Sequence, residues 1–536
     1  MGKAGWVGVV GVALMAACGA ASGQIRADEV LVIYDSRLPD SREVAEYYAG
    51  SGAVPGGAGN LHGARAGVRV FDLASAGQPE VVPGSISYPN FVARLRDPIR
   101  NYLLTTGQSQ SIRVLVTTKG LPHRVQDTDL PNAGDAPNQL IDEYNAGDAT
   151  MASVDTELAL LWQPLESGEM GRAADSLSDG VIANPYWRAT TPIRTQPTTN
   201  NRATKSYSAV GVAPTWTPLG SQGAAGRLSP GDIYLVSRLD APTVSDVRGI
   251  IDRGGNAFYN TSTMVALLDE SDSNGTTDAG ANAEIDNNAD GFPSLRDADD
   301  YEITRDELLA DRRFAGAFTQ YNALGGGNQF FVGPRLTWQA PVLLVNQPVV
   351  LLATYGANHT GRPRITSGTL ADTIYATSFN YPNGAIFNTI ESYNGRDFGG
   401  LGQPSGPSQQ QASSFLAAGG TLAVCNVWEP LADTVPDNRF LSRNFIRGNL
   451  SWAEAAWSSI PALSWQQMVV GDPLARATRS SEDINQDGRV GVDDLYRWEA
   501  TPTDVNGDGS INVTDRQFVV DALRSWERAK ITLGRR

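Results

Sequence analysis

Apolar runs and polar intervals alternate from Glu29 to about Ala475 with the rhythm of strands and helices. Short stretches rich in β-branched residues, 30–34, 113–118, 233–237, 349–355, 385–390 and 422–425, predict buried strands. Helical patterns lie between them at 41–49, 88–104, 154–162, 245–252, 304–321 and 409–418. Strand, helix, strand in succession builds a mostly parallel sheet covered on both faces, so the expected fold class is an α/β sandwich.

Two stretches break the rhythm. Residues 170–230 are rich in Thr, Pro, Ser, Gly and Asn and read as a long excursion or irregular β insertion, and residues 269–300 form an acidic, Gly- and Asn-rich insert. At 536 residues the chain exceeds one ordinary core. The expected organisation is a signal peptide at 1–23, an α/β domain at 24–478 carrying both insertions, and a C-terminal module at 481–528.

The signal reading rests on Lys3, the apolar stretch 6–17 and the small residues Ala21-Ser22-Gly23. It predicts a secreted or periplasmic protein. Leu14-Met15-Ala16-Ala17-Cys18 is close to a lipobox, so the alternative is a lipid anchor at Cys18. No later segment is apolar and long enough to read as a membrane span. Lys and Arg number 42 against 58 Asp and Glu, and the net charge of −16 opposes nucleic acid and anionic membrane as partners. Cleavage after Gly23 would leave Cys425 as the one thiol, which excludes an intramolecular disulfide.

An acidic pattern is written twice near the C-terminus. Asp483-Ile-Asn485-Gln-Asp487-Gly closes at Asp494, and Asp504-Val-Asn506-Gly-Asp508-Gly closes at Asp515, the twelfth position of each. Ca2+ takes six to eight oxygens from a loop that reverses sharply at a glycine, which this spacing supplies. Positions 1, 3 and 5 offer side chains, position 7 the carbonyl of Arg489 or Ser510, and Asn512 stands at position 9 of the second loop, where the first has Gly491. A third copy, Asp286, Asn288, Asp290, with Phe292 at position 7 and Asp297 at position 12, carries Pro293 at position 8. A proline there removes the N–H through which paired loops bridge, so this copy reads as a lone calcium loop or a solvated acidic loop.

The duplicated pattern, with Asp at position 12, resembles the type I dockerin module over about the last fifty residues. The resemblance implies calcium-dependent folding, small all-α architecture with EF-hand-like loops, and attachment to a cohesin-like protein partner. It also implies an extracellular assembly, often one engaged in polysaccharide breakdown.

In an open parallel sheet, ligands sit beyond the carboxyl ends of strands. Those ends carry Asp35-Ser36-Arg37, Thr118-Lys119-Gly120, Arg238-Leu239-Asp240, Asn358-His359, Glu391-Ser392 and Cys425-Asn426. Cys425 with His359 is the nucleophile and base arrangement of cysteine peptidases of caspase and gingipain type. The run Met468 to Pro473 resembles a late segment of gingipain-type domains, so the layering expected is caspase-like, gingipain-like or flavodoxin-like. The other reading of Cys425 is a small buried core residue. A carbohydrate-active enzyme using carboxylates is the further enzymatic alternative. His62 and His123 lack metal-ligand spacing, and the glycines at 325–327 form no phosphate-binding signature.

Several core segments resemble a family of uncharacterised secreted bacterial proteins: 28–37, 39–47, Val116 to Pro122, Ser153 to Trp162, Val236 to Asp240, Asn426 to Pro430, Ala462 to Trp465 and Gly471-Asp472-Pro473. The resemblance spans nearly all of 28–475 and implies no assigned activity, substrate or catalytic residue.

Overall fold

A computed structural model describes residues 24–57, 61–126, 152–163, 182–196, 228–269, 301–322, 331–335, 342–356, 375–398, 412–428, 430, 435–487 and 490–533. Its centre is a ten-stranded sheet. In chain order the strands are β1 Val30–Tyr34, β2 Arg69–Asp72, β3 Val114–Thr118, β4 Leu235–Leu239, β5 Val265–Asp269, β6 Thr319–Asn322, β7 Val349–Thr354, β8 Ile386–Phe387, β9 Leu422–Asn426 and β10 Gln467–Val470. Every residue of β1, β3, β4, β5, β7 and β9 is buried, as continuous apolar runs require when helices cover both faces.

The spatial order is β6-β5-β7-β8-β9-β10-β4-β3-β1-β2. It falls into two parallel series, β2-β1-β3-β4 and β6-β5-β7-β8-β9. In each, the first strand of the series is flanked on one side by the second and on the other by the third. β10 lies between the series, antiparallel to β9 through four residue pairs and beside β4 at Val470 and Arg238 alone.

Loops rather than that single pair fix how the series are related. Beyond β3, Lys119 Nζ donates to Phe398 O at 3.3 Å and the His123 ring bonds Arg396 O at 2.9 Å, beyond β8. At the opposite edge Arg253, at the end of helix α4 (Val244–Gly255), donates to Leu416 O and Gly420 O, which precede β9. The carboxyl ends of both series therefore share one edge.

Helices α1 (Pro39–Ala49), α2 (Asp97–Thr105), α3 (Val154–Ala159), α5 (Tyr301–Ala310), α6 (Ala412–Ala417) and α7 (Trp452–Ser459) join α4 around the sheet. Thr243 caps α4 by accepting from Asp246 N, and Ser451 caps α7 with Glu454 closing the capping box. Trp452 and Trp457 of α7 are fully buried, and their indole N–H groups donate to Val470 O and Val236 O, tying the helix across the β10–β4 joint.

The expected helix over 304–321 is corrected. α5 ends at Ala310, Asp311 Oδ1 accepts from Arg313 N to turn the chain, and 319–322 is strand β6 paired with β5. Thr319 and Tyr321 prefer a pleated surface, and the β5 edge supplies the ladder. α3 likewise stops at Ala159, short of Trp162.

β10 ends at Gly471, whose φ of +126° suits only glycine and whose added Cβ would stand 2.6 Å from Leu422 Cδ2. The turn delivers Asp472, fully buried, to Tyr48 Oη at 2.7 Å and Arg65 Nε at 2.7 Å. The Gly-Asp-Pro motif thus staples β10 to α1. Gly471→Ala is expected to cost at least ~2 kcal/mol from backbone strain and overlap, read by urea unfolding; a change under about 0.5 kcal/mol would contradict it.

Candidate functional site

Residues of 116–122, 153–157, 236–240 and 464–467 meet at the shared carboxyl edge. Ser153 caps α3, accepting from Thr156 N at 2.9 Å and donating to Gln467 O at 2.6 Å. The cap aims Asp155 at Arg238 of β4, Nη2 to Oδ1 at 2.8 Å, and both side chains are fully enclosed. Arg238 also donates to Leu121 O and Pro122 O. Next to it Lys119 Nζ reaches Asp240 Oδ1 at 3.4 Å and Ala241 O at 2.7 Å. One turn further along α3, Glu157 Oε1 accepts from Ser464 Oγ at 2.7 Å, with Ser464 held at φ +51°.

Burial dominates the electrostatics of this seam. It raises the Asp155 carboxyl despite Arg238, and lifts Asp240 to about 6 against the pull of Lys119 and Arg238. His123, fully buried, is pushed well below its ordinary range by desolvation and then by Arg124 and Arg238, so it is neutral and donates from Nε2 to Arg396 O. Arg124 and Arg396 lie over the Trp428 ring at 5.2 and 5.3 Å. The seam is a set of matched charges joining α3, β3, β4 and the loop after β8.

Of the strand-end candidates, Lys119, Arg238 and Asp240 converge, and Asn426 Nδ2 bonds Glu391 O at 3.0 Å. Asp35-Ser36-Arg37 stands apart as a closed turn, with Arg37 paired to Asp35 and Ser36 N bonded to Asp72. Cys425 is fully buried, Gly395 packs over its sulfur, and Sγ faces Met468 O at 3.8 Å. Burial, and secondarily Asp155, push the thiol far up, away from the thiolate a nucleophile needs. His359 lies outside the described residues, as do Cys18 and the third loop pattern with Asp286, Asn288, Asp290, Phe292 and Asp297.

Sequence reasoning passed over Asp269, which ends β5 between its neighbours β6 and β7. Oδ1 accepts from Asn322 Nδ2 at 2.7 Å and Oδ2 from Phe331 N at 3.0 Å, yet burial raises the carboxyl to about 7. The signal available was the first acid after the apolar run 265–268, where the acidic stretch Asp269-Glu270 begins.

In the C-terminal segment, α8 (Val492–Ala500) and α9 (Val513–Leu533) follow the two acidic loops. Several hydrogen bonds recur at equivalent positions of the two loops. Asn485 N and Asn506 N each donate to Oδ1 of the position-12 Asp, 494 or 515, at 3.0 Å. Gly491 N and Asn512 N donate to its Oδ2 at 2.6 and 2.8 Å. Asp487 N and Asp508 N donate to the preceding Asn side chain at 2.9 Å. Position 4 has a left-handed backbone in both, at Gln486 (φ +61°) and Gly507 (φ +74°). Trp498, Val505 and Val519 form a small core of their own with Ile484, Leu495 and Phe518.

Calcium fits this donor set by its chemistry. Asp494 and Asp515 are fully buried, and neither meets a basic side chain among the described residues. Two enclosed carboxylates compensated only by amide N–H groups are suited to a cation. Among the described residues no three His, Cys, Asp and Glu side chains converge as a ready metal cluster. In each loop the carboxylates accept instead from the loop's own amides. Arg489 lies outside the described residues.

Among the described residues, no helix is long and apolar enough to cross a membrane. Compared with protein-family models, curated proteins and solved structures, the chain finds no match.

Asp155→Ala is expected to cost about 3–5 kcal/mol in urea unfolding by stranding the buried Arg238 charge, and an effect under 1 kcal/mol would refute that role. Asp269 gives a pH prediction. Its folded pKa lies above the unfolded value, so its contribution is full below about pH 4 and is lost as pH rises through about 7. Asp269→Asn should therefore flatten the fall in stability between pH 5 and 8; an unchanged slope would count against it.

Proposed function

We propose that this is an exported calcium-binding protein whose C-terminal pair of loops attaches it, in its calcium-loaded form, to a protein partner of cohesin type. The α/β domain is the cargo, and its activity is unassigned. The observation that carries the reading is the repetition of one loop geometry twice, each copy enclosing a carboxylate without a cationic side chain. Each of these carboxylates also accepts from the amide that opens its following helix, so the reading rests on the recurrence of the whole loop and not on that cap alone.

Asp483, Asn485, Asp487 and Asp494, with the Arg489 carbonyl, would hold the first ion. Asp504, Asn506, Asp508, Asn512 and Asp515, with the Ser510 carbonyl, would hold the second. The ion supplies a divalent charge that offsets the repulsion among the acids of each loop. The chain's own contribution is to bring the oxygens together: loop amides orient the carboxylates, and the small Trp498 core fixes the exits into α8 and α9. The face offered to a partner is apolar, since Val492, Tyr496, Ile511 and Val513 are exposed, and Val492 and Val513 hold equivalent positions in the two repeats. The hydrolase reading gains nothing from the enclosed Cys425.

Calorimetry with the full chain tests the proposal. Two calcium ions are expected to bind, and a variant carrying Asp487→Ala and Asp508→Ala should weaken both sites at least about tenfold. Unchanged binding in that variant would overturn it.

A further inference from the structure

The tail is not held on a free linker. Arg479 and Glu482, both fully buried, pair at 2.9 Å immediately before Asp483, and Arg479 also donates to Ile446 O and Gly448 O. The inner side of the second loop lies against the segment that follows α5. A Cβ on Gly507 would stand 2.7 Å from Asp311 Oδ1 and 3.0 Å from Arg313 Cγ, and one on Gly509 would stand 3.4 Å from Arg312 Nη1. In the first turns of α9, the Phe518 ring lies 5.6 Å from the Arg313 guanidinium and 6.0 Å from that of Arg479.

The groups that receive the loop are braced from behind. Arg313 takes both oxygens of Asp311, at 2.9 and 2.6 Å, and donates to Arg447 O. Arg447 in turn bonds Asp311 Oδ2 at 3.0 Å and Glu307 Oε2 at 2.7 Å. The core thus presents a preformed surface: a bound carboxylate and two fixed guanidinium planes, shaped to glycine backbone and to one aromatic ring.

We propose that this surface is an intramolecular receptor for the second loop, so that calcium binding in the tail and docking of the tail on the α/β domain form one linked equilibrium. The inference rests on the calcium reading above. Contact is made by the loop backbone and by the helix that starts from it, and the ion fixes the positions of both. What holds α9 against the core therefore favours the ion-loaded loop, and the ion favours the docked helix to the same degree. The core favours glycine at 507, where a Cβ would overlap Asp311 Oδ1, and the left-handed backbone favours it at 509 (φ +87°).

The test uses the full chain, with calcium alone as the probe. Hydrogen exchange is read on the core segments around 311–313 and 446–449, with calorimetry in parallel. In the unaltered protein calcium should protect those segments. Phe518→Ala should still bind two ions, about three- to tenfold more weakly, and lose the protection. Arg313→Gln, altered on the core side and not itself a proposed ligand, should do the same if Phe518→Ala fails to fold. Calcium binding without protection of the core, or protection that survives Arg313→Gln with affinity unchanged, would overturn the receptor and leave the calcium reading standing. No calcium binding by the unaltered chain would overturn both.

Discussion

Arg238 and Asp155, enclosed together and 2.8 Å apart, sit where the two series of the sheet have least else to hold them. Along β9 and β10 the ladder is regular, but β10 meets β4 at a single residue pair. Hydrophobic burial favours closing that joint without favouring any one way of closing it, because it has no direction. The directional contacts are polar. Arg238 reaches Asp155 and the carbonyls after β3, Lys119 reaches Asp240 and the loop after β8, and two indoles of α7 bond backbone on either side of the joint. Such pairs add little net stability over apolar packing, since desolvation consumes most of the attraction. Their effect here is to make the wrong closure expensive by stranding a charge.

The same arrangement gives the polar residues around α3 a structural role that needs no catalysis. Ser153, Asp155 and Glu157 lie on one short cap and helix, and each is committed to a partner remote in the chain: Gln467, Arg238 and Ser464. Asp472 is committed to Tyr48 of α1 in the same way, and Gly471 to Ser237 and Arg238 of β4. A carboxyl edge is where ligands bind in folds of this kind. Here Asp155 pairs with Arg238 and Asp240 with Lys119, while burial raises Asp240 to about 6 and Asp269 to about 7.

Most strands buried on both faces were legible in the sequence because their signal is local: a run such as 349–354 has no polar residue to place before its final threonine, whereas β5 was not among the expected strands. β6 was not legible, since 304–321 carries helical spacing and only the neighbouring β5 edge turns 319–322 into a strand. β10 and α7 escaped for a related reason: the run 467–470 is short, and α7 buries serines and a glutamate among its tryptophans. The polar seam was beyond reach, because Ser464 and Glu157 stand 307 positions apart and only the fold makes them neighbours. The C-terminal repeat was fully legible as a pattern, since all its partners fall within twelve residues.

What that pattern could not convey is where the repeat ends and the core begins. An acidic chain of net charge −16 gains nothing from pressing a further acidic loop against itself unless the contact avoids the acids. The second loop does so. It turns its glycine backbone and one aromatic ring toward Asp311, Arg313 and Arg479, where Arg313 and Arg447 already neutralise Asp311. Its buried carboxylate at 515 is held by the loop's own amides, away from the basic groups of the core. Two electrostatic problems are thereby kept separate. The core settles its charges with arginine, and the loop holds its carboxylates with its own amides, so neither draws on the charges of the other.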